Sequence, residues 1–122
     1  NTGSEVVEGS IVTTSGAGTA YNLTSDYRVK ENIVKLENAL DKINELHPIR
    51  YNRVGGSLTM DGFLAHEVAE IIPEAVTGKK DAVDESGNPE YQQVDYSKLV
   101  PVLTDALQKA IARIEELEAK VG

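Results

Sequence analysis

Ser25 and Lys30 are the two side chains of this sequence best suited to chemistry. They lie five residues apart in the segment 25–32, SDYRVKEN. A serine hydroxyl and a partly desolvated lysine amine can act as nucleophile and base, because the neutral amine takes the hydroxyl proton. In the structural alternative, Ser25 or Asp26 caps a helix and Lys30 is a solvated surface charge. The spacing alone is compatible with both interpretations, and the first makes this segment a place where the chain cuts itself.

The composition excludes several classes of function. The chain has 122 residues, a net charge of −8 and no cysteine. The net negative charge argues against sequence-independent binding to nucleic-acid phosphates and against membrane binding. The lack of cysteine excludes disulfides, thiolate catalysis and cysteine-based zinc sites. We expect no cofactor and no metal, since Asp81, Asp84 and Glu85 are better explained as solvated loop charges.

Residues 1–24 are typical of a β arm. Glycines interrupt short apolar stretches, which include Val6, Val7, Ile11, Val12, Tyr21 and Leu23. Such segments are too small and too polar to bury a face of their own, so we expect the arm to need neighbours from upstream sequence or from other copies. Asn1 in place of a methionine indicates a piece of a longer protein.

The middle of the chain predicts a small mixed body. Apolar residues from Val29 to Leu46 recur every three or four positions, which predicts a helix of about five turns that ends before Pro48. The stretch 49–60 predicts a hairpin with a Gly-Gly turn, 63–66 a short strand, and 67–72 a short helix. The loop 77–90 has the composition of a second hairpin.

The C-terminal segment 97–121 predicts a helix that self-associates. Its apolar residues alternate by three and four, and they are Val100, Leu103, Leu107, Ala110, Ile114, Leu117 and Val121. These fill the a and d positions of about three heptads. Apolar Ala106 and Ile111 flank the seam, which favours three or more strands over two, and Arg113 and Glu118 can pair between parallel copies. In the alternative, the helix packs only on its own domain. Ser97 is the expected N-cap.

Two further residues could support the chemistry. His66 and Glu67 follow an apolar strand and open a helix, where an imidazole can orient a nucleophile or an amine. The more common role of such a histidine is a backbone-bonded core or interface residue. His47 lies at a helix end, where histidines commonly interact with free carbonyls, and we assign it no catalytic role. The predicted fold class is α+β: a β arm, a small body with short hairpins, and a long C-terminal helix that forms a trimeric coiled coil.

Four ordered blocks of this sequence resemble one known family. The blocks are residues 25–33, 62–68, 73–82 and 94–103. They resemble the self-cleaving intramolecular chaperone domain at the C-terminus of phage endosialidases, tail spikes, tail fibres and neck appendages. In that family the domain trimerises, helps an upstream β-rich trimer to fold, and then releases itself.

The resemblance implies a domain organisation and a site. Residues 1–24 are then the end of an upstream fibre or spike, and residues 25–122 are the chaperone and autoprotease domain, with 97–121 as its trimerisation helix. Ser25 and Lys30 match the catalytic pair of a single-turnover serine peptidase, and the scissile bond is Thr24–Ser25. His66 matches a position that could support the reaction without being essential. The partners are two further copies and the upstream trimer of the same polypeptide. The protein is then made in the host bacterial cytoplasm, and its parent lies in the virion tail.

The placement of the serine suits a self-cutting reaction. A nucleophile that follows the bond it breaks can attack the preceding carbonyl through a five-membered ring, and the resulting ester is then hydrolysed. Five residues span about 140° of a helix, so Ser25 and Lys30 cannot share a helical face. Either Ser25 lies in extended chain before the helix, or Lys30 acts on a neighbouring chain. There are two rival functions, a non-enzymatic trimerisation cap and a glycan-binding tip. The glycan-binding tip would require an aromatic cluster, which the sequence does not show.

Overall fold

Residues 8–122 are described by a computed structural model of the chain. They form two compact units, of which the first includes residues 8–35 and the second is Leu36–Gly122. The β segment expected at Val6 and Val7 lies outside the described residues.

In the first unit, residues 8–35 contain one hairpin. Strand β1 (Gly9–Thr14) pairs with strand β2 (Gly18–Leu23) in antiparallel register, with Ile11 opposite Tyr21. Every residue of both strands is exposed. An isolated two-stranded hairpin is marginally stable in water. The structure therefore agrees with the expectation that the arm needs neighbours.

The second unit combines three helices with two short antiparallel pairs of strands. Its elements are α1 (Ala39–Glu45), β3 (Ile49–Asn52), β4 (Thr59–Gly62), α2 (Ala65–Ile71), β5 (Val76–Thr77), β6 (Gln93–Val94) and α3 (Leu99–Val121). Strand β3 pairs with β4, and β5 pairs with β6. The predicted mixed fold with short hairpins and a long C-terminal helix is confirmed.

A small aliphatic core holds the second unit together. Its buried side chains are Ala39, Leu46, Val68, Ile72, Ala75, Leu99, Val102 and Ala106. Helix α1 packs against α3, and small residues such as Ala39 and Ala106 allow the two helices to approach closely. Helix α2 and the 3-10 turn Pro73–Ala75 supply the remaining wall. The core thus fixes one face of α3 and leaves the other faces of that helix outside it.

The long helix predicted from Val29 to Leu46 is wrong for most of its length. Only α1 is α-helical, and the chain before it contains the 3-10 turn Tyr27–Val29 and irregular backbone. Asn32 and Asn38 have φ angles of 54° and 61°, which interrupt a right-handed helix. The apolar stripe of this segment is exposed in the single chain at Val29 and Ile33. Helices gain most of their stability from burying such a stripe, and within the described residues 8–35 nothing covers Val29 and Ile33.

The start of α3 also differs from the sequence prediction. Ser97 lies in the 3-10 turn Tyr96–Lys98, and the cap of that turn is Asp95. The carboxylate of Asp95 accepts hydrogen bonds from the Ser97 hydroxyl (2.6 Å) and the Ser97 amide (3.0 Å), which lower the pKa of Asp95. Pro101 falls in the first turn of α3, where it is tolerated.

The two predicted hairpins are present. The stretch 49–60 contains β3 and the first two residues of β4, as expected. The loop 77–90 folds back through a bridge between Val83 and Pro89, and the Asp84 carboxylate accepts from the amides of Ser86 (2.8 Å) and Asn88 (2.9 Å). The strand predicted at 63–66 is wrong, because β4 ends at Gly62 and α2 begins at Ala65.

Ile72→Ala should destabilise the second unit by about 2–5 kcal/mol, because the Ile72 side chain is fully buried and its removal leaves a cavity. Chemical denaturation followed by circular dichroism measures this free energy of unfolding. Val54→Ala is the matched control, since Val54 is fully exposed in the β3–β4 turn and its truncation should change stability by less than about 0.5 kcal/mol. Equal effects of the two substitutions would contradict this description of the core.

Candidate active site

The side chains of Ser25 and Lys30 touch within one chain. Lys30 Nζ lies 2.5 Å from Ser25 Oγ. The charged amine donates to the hydroxyl across this contact, and a neutral amine could accept the hydroxyl proton across the same contact. The two side chains that the sequence predicts as nucleophile and base are therefore in contact, and both are exposed.

A single 3-10 turn produces this contact. The turn Tyr27–Val29 separates the two residues, and Lys30, which follows it, is extended with φ −120° and ψ 140°. Asp26 precedes the turn and is also extended, with φ −63° and ψ 141°. The Lys30 amide donates to the Tyr27 carbonyl at 3.1 Å, which closes the turn. Neither Ser25 nor Lys30 is helical, so the 140° separation that a helix would impose does not arise.

Asp26 and Arg28 stabilise the turn. The Asp26 carboxylate accepts from the Arg28 backbone amide at 2.9 Å and caps the turn. It also accepts from Nε and Nη2 of the Arg28 guanidinium, each at 2.9 Å. The bond from the Arg28 side chain, followed by the bond from its backbone amide, lowers the pKa of Asp26. Asp26 is therefore ionised at neutral pH and holds the turn that brings Ser25 to Lys30.

The predicted scissile bond begins one residue after a strand. Strand β2 ends at Leu23, and the Thr24 amide donates to the Glu8 carbonyl at 2.8 Å. The Thr24–Ser25 peptide bond therefore lies between the hairpin and the 3-10 turn.

His66 and Glu67 lie in the other compact unit. The half-buried ring of His66 lines an open groove with Lys79, Lys80, Tyr91 and Gln92. Glu67 Oε2 lies 2.8 Å from His47 Nδ1. No local pattern predicts this pair, because the two residues are 20 positions apart, with His47 in the loop between α1 and β3 and Glu67 in α2.

The exposed face of α3 carries the predicted seam. Its large apolar side chains are exposed in the single chain, and Leu107 and Ile114 have exposed fractions of 62% and 54%. Ala106 is an exception to the expectation: it is buried in the core of its own unit and cannot widen a seam. Ile111, the other flanking residue, is 44% exposed. Helix α3 therefore has one face in its own core and one uncovered apolar face.

An aromatic groove is present that the sequence did not indicate. Four of the chain's six aromatic side chains line one open groove of about 1000 Å³: Tyr51, Phe63, Tyr91 and Tyr96. Gly62 leaves room for two of them, since a Cβ there would lie 3.0 Å from Tyr96 Oη and 3.1 Å from Tyr51 Cε1. Tyr91 and Tyr96 lie in one segment, whereas Tyr51 and Phe63 are distant from it in sequence, so no local pattern predicts all four. This groove supplies the aromatic cluster that the glycan-binding alternative requires.

The described part of the chain contains neither a cluster of metal ligands nor a membrane-spanning helix. Among residues 8–122, no three His, Asp or Glu side chains lie close enough to hold a metal ion. No helix within the same range is long and apolar enough to cross a membrane.

Comparison with known proteins gives one family and two relatives. Residues 25–77 match a peptidase family model described as the chaperone of endosialidase. Over 104 residues the chain is 33% identical to Long tail fiber protein Gp37 of Enterobacteria phage K3 and, equally, to the protein of that name from Enterobacteria phage T2. Each match covers 81% of this chain but only 8% of the relative. The family match agrees with the resemblance found in the sequence.

Proposed function

We propose that this chain belongs to the chaperone of endosialidase family, that it assists the folding of an upstream phage tail-fibre trimer, and that it then cuts itself free at Thr24–Ser25. The contact between Lys30 Nζ and Ser25 Oγ at 2.5 Å is the observation that carries the proposal. The parent protein is then made in the host bacterium and lies in the virion tail.

The proposed reaction uses two side chains of one copy. The neutral Lys30 amine takes the Ser25 hydroxyl proton, and Oγ attacks the Thr24 carbonyl carbon through a five-membered ring. The carbon–nitrogen bond breaks, the Ser25 amine leaves with a proton from Lys30, and an ester joins Thr24 to Ser25 Oγ. Water hydrolyses this ester to a Thr24 carboxylate and the free hydroxyl. His66 and Glu67 take no step in it.

Assembly is the proposed trigger of the reaction. A charged amine cannot act as a base, so Lys30 must be neutral when it takes the Ser25 proton. Both members of the pair are exposed in the single chain. A neighbouring copy that removes water from the pair would favour the neutral amine, so that trimer formation precedes the cut.

The uncovered face of α3 supports a parallel homotrimer. Its seven a and d positions are apolar, and burying one Leu or Ile side chain contributes about 1.5–3 kcal/mol. Exposed Ile111 broadens the stripe toward an e position, as expected for more than two strands. Within the single chain described, Arg113 and Glu118 make no ion pair, so both remain available for pairing between copies.

The mass of the expressed chain tests the proposal. We expect a fibre fragment that ends in this chain to yield two pieces, split between Thr24 and Ser25, because trimer formation would remove water from the Ser25–Lys30 pair of each copy. Mass spectrometry of the denatured product measures both pieces. A chain that stays intact while it trimerises would favour the non-enzymatic cap. The proposal is preferred to the cap and to a glycan-binding tip because neither alternative uses the Ser25–Lys30 contact.

A further inference from the structure

The predicted scissile bond lies between two anchored segments. On one side, the Thr24 amide donates to the Glu8 carbonyl at 2.8 Å, one residue beyond the paired strands β1 and β2. On the other side, Asp26 caps the 3-10 turn. Ser25 alone separates the two anchors, so the position of the Thr24 carbonyl relative to Ser25 Oγ depends on both of them.

Gly9 controls how closely the two strands approach at this end of the hairpin. It lies opposite Leu23, next to the Glu8–Thr24 hydrogen bond. A Cβ at position 9 would lie 2.7 Å from the Asn22 carbonyl oxygen, and real Cβ atoms essentially never come so close to another heavy atom. Since the obstacle is backbone, it cannot swing aside as a flexible side chain could. Any other residue at position 9 must push β1 away from β2.

The requirement at position 9 is local. At Gly16 and Gly18, at the far end of the hairpin, a Cβ would meet nothing within 4 Å. Closer to the middle of the strands, the hydroxyls of Thr13 and Thr19 bond to each other at 3.1 Å. The close fit therefore lies at the end of the ladder that adjoins the scissile bond.

We propose that Gly9 is a positioning residue for self-cleavage. By letting the Glu8–Thr24 hydrogen bond form, it holds the carbonyl side of the Thr24–Ser25 bond where Ser25 Oγ can reach it. This inference rests on the proposed function, and it makes the cut depend on whether the last two strands before it have paired. The cut would thus depend on two events. One is the pairing of β1 and β2 upstream of the scissile bond, and the other is the assembly of the domain through α3.

Gly9→Ala should slow the first-order rate of cleavage by about tenfold to a hundredfold, because a displacement near 1 Å of reacting groups can have an effect of this size. The trimer mass should stay the same, since α3 is untouched. Ser10→Ala is the matched control: it alters the neighbouring, exposed position without adding a Cβ and should cleave at the wild-type rate.

Amide hydrogen exchange gives a second measurement that does not depend on activity. In an uncut Ser25→Ala background, the Thr24 amide should be protected with Gly9 present and should exchange faster in the Gly9→Ala double variant. Cleavage of Gly9→Ala within twofold of wild type, or unchanged protection of Thr24, would overturn the role of Gly9 and leave the self-cleavage proposal standing. A wild-type chain that does not cleave would instead overturn the proposed function itself.

Discussion

Ser25→Ala and Lys30→Ala should each leave the full-length chain uncut while it still forms a trimer. Ser25→Ala removes the attacking oxygen, so no cut should be detectable. Lys30→Ala removes the base, and general-base catalysis contributes about 10²–10⁴-fold to rates of this kind. Denaturing electrophoresis gives the fraction cut, and native mass spectrometry gives the state of assembly.

Lys35→Ala is the matched control for Lys30→Ala. Lys35 is another exposed lysine of the first unit and makes no ion pair among the described residues, so this variant should cut normally. Normal cutting by Lys30→Ala would remove the lysine from the mechanism.

Co-expression of the two inactive chains separates action within a chain from action between chains. The 2.5 Å contact joins Ser25 and Lys30 of one copy, so mixed trimers of Ser25→Ala and Lys30→Ala should remain uncut. Restored cutting would mean that Lys30 acts on the serine of a neighbour.

Leu107→Asp and Ile114→Asp should convert the trimer to monomers and greatly reduce the cut with it. In a trimer each substitution would place three carboxylates along one axis, at a cost of several kcal/mol from desolvation and repulsion. Both side chains are exposed in the single chain, so the monomer should keep its fold. Sedimentation measures the mass, and circular dichroism measures the helix content.

Gln108→Asp is the matched control for the trimer, because Gln108 is exposed on α3 outside the a and d positions. It introduces the same carboxylate and should leave the trimer intact. A wild-type chain that is monomeric at micromolar concentration would contradict the trimer.

Apolar periodicity predicted α3 well, because the same three- and four-residue spacing continues over a long segment. The Gly-Gly turn predicted the β3–β4 hairpin, because the pairing of these two strands is set by residues close in sequence. The same periodicity failed between Val29 and Asn38, because an amphipathic pattern needs a surface to pack on and the single chain supplies none there. The pattern also cannot say which apolar face of α3 its own domain covers. Ala106 was therefore assigned to the seam although it belongs to the core.

The candidate site was predicted as a pair of residues but not as a geometry. The sequence identified Ser25 and Lys30 as residues. The 3-10 turn that joins them depends on the Asp26 carboxylate, which accepts hydrogen bonds from the backbone amide and the side chain of Arg28. The His47–Glu67 pair and the aromatic groove join residues distant in sequence, and only the tertiary fold brings them together.

Both members of the Ser25–Lys30 pair lie on the C-terminal side of the bond that they are proposed to break. The upstream product would therefore contain neither the Ser25 hydroxyl nor the Lys30 amine, and its new C-terminus would be the carboxylate of Thr24. Each copy could react once, so an infected cell would accumulate one free domain for every mature fibre chain. The attacked carbonyl is supplied by the same backbone, with no need to capture a second polypeptide. The host's own proteins would thus be spared digestion, even when the fibre is made in large amounts.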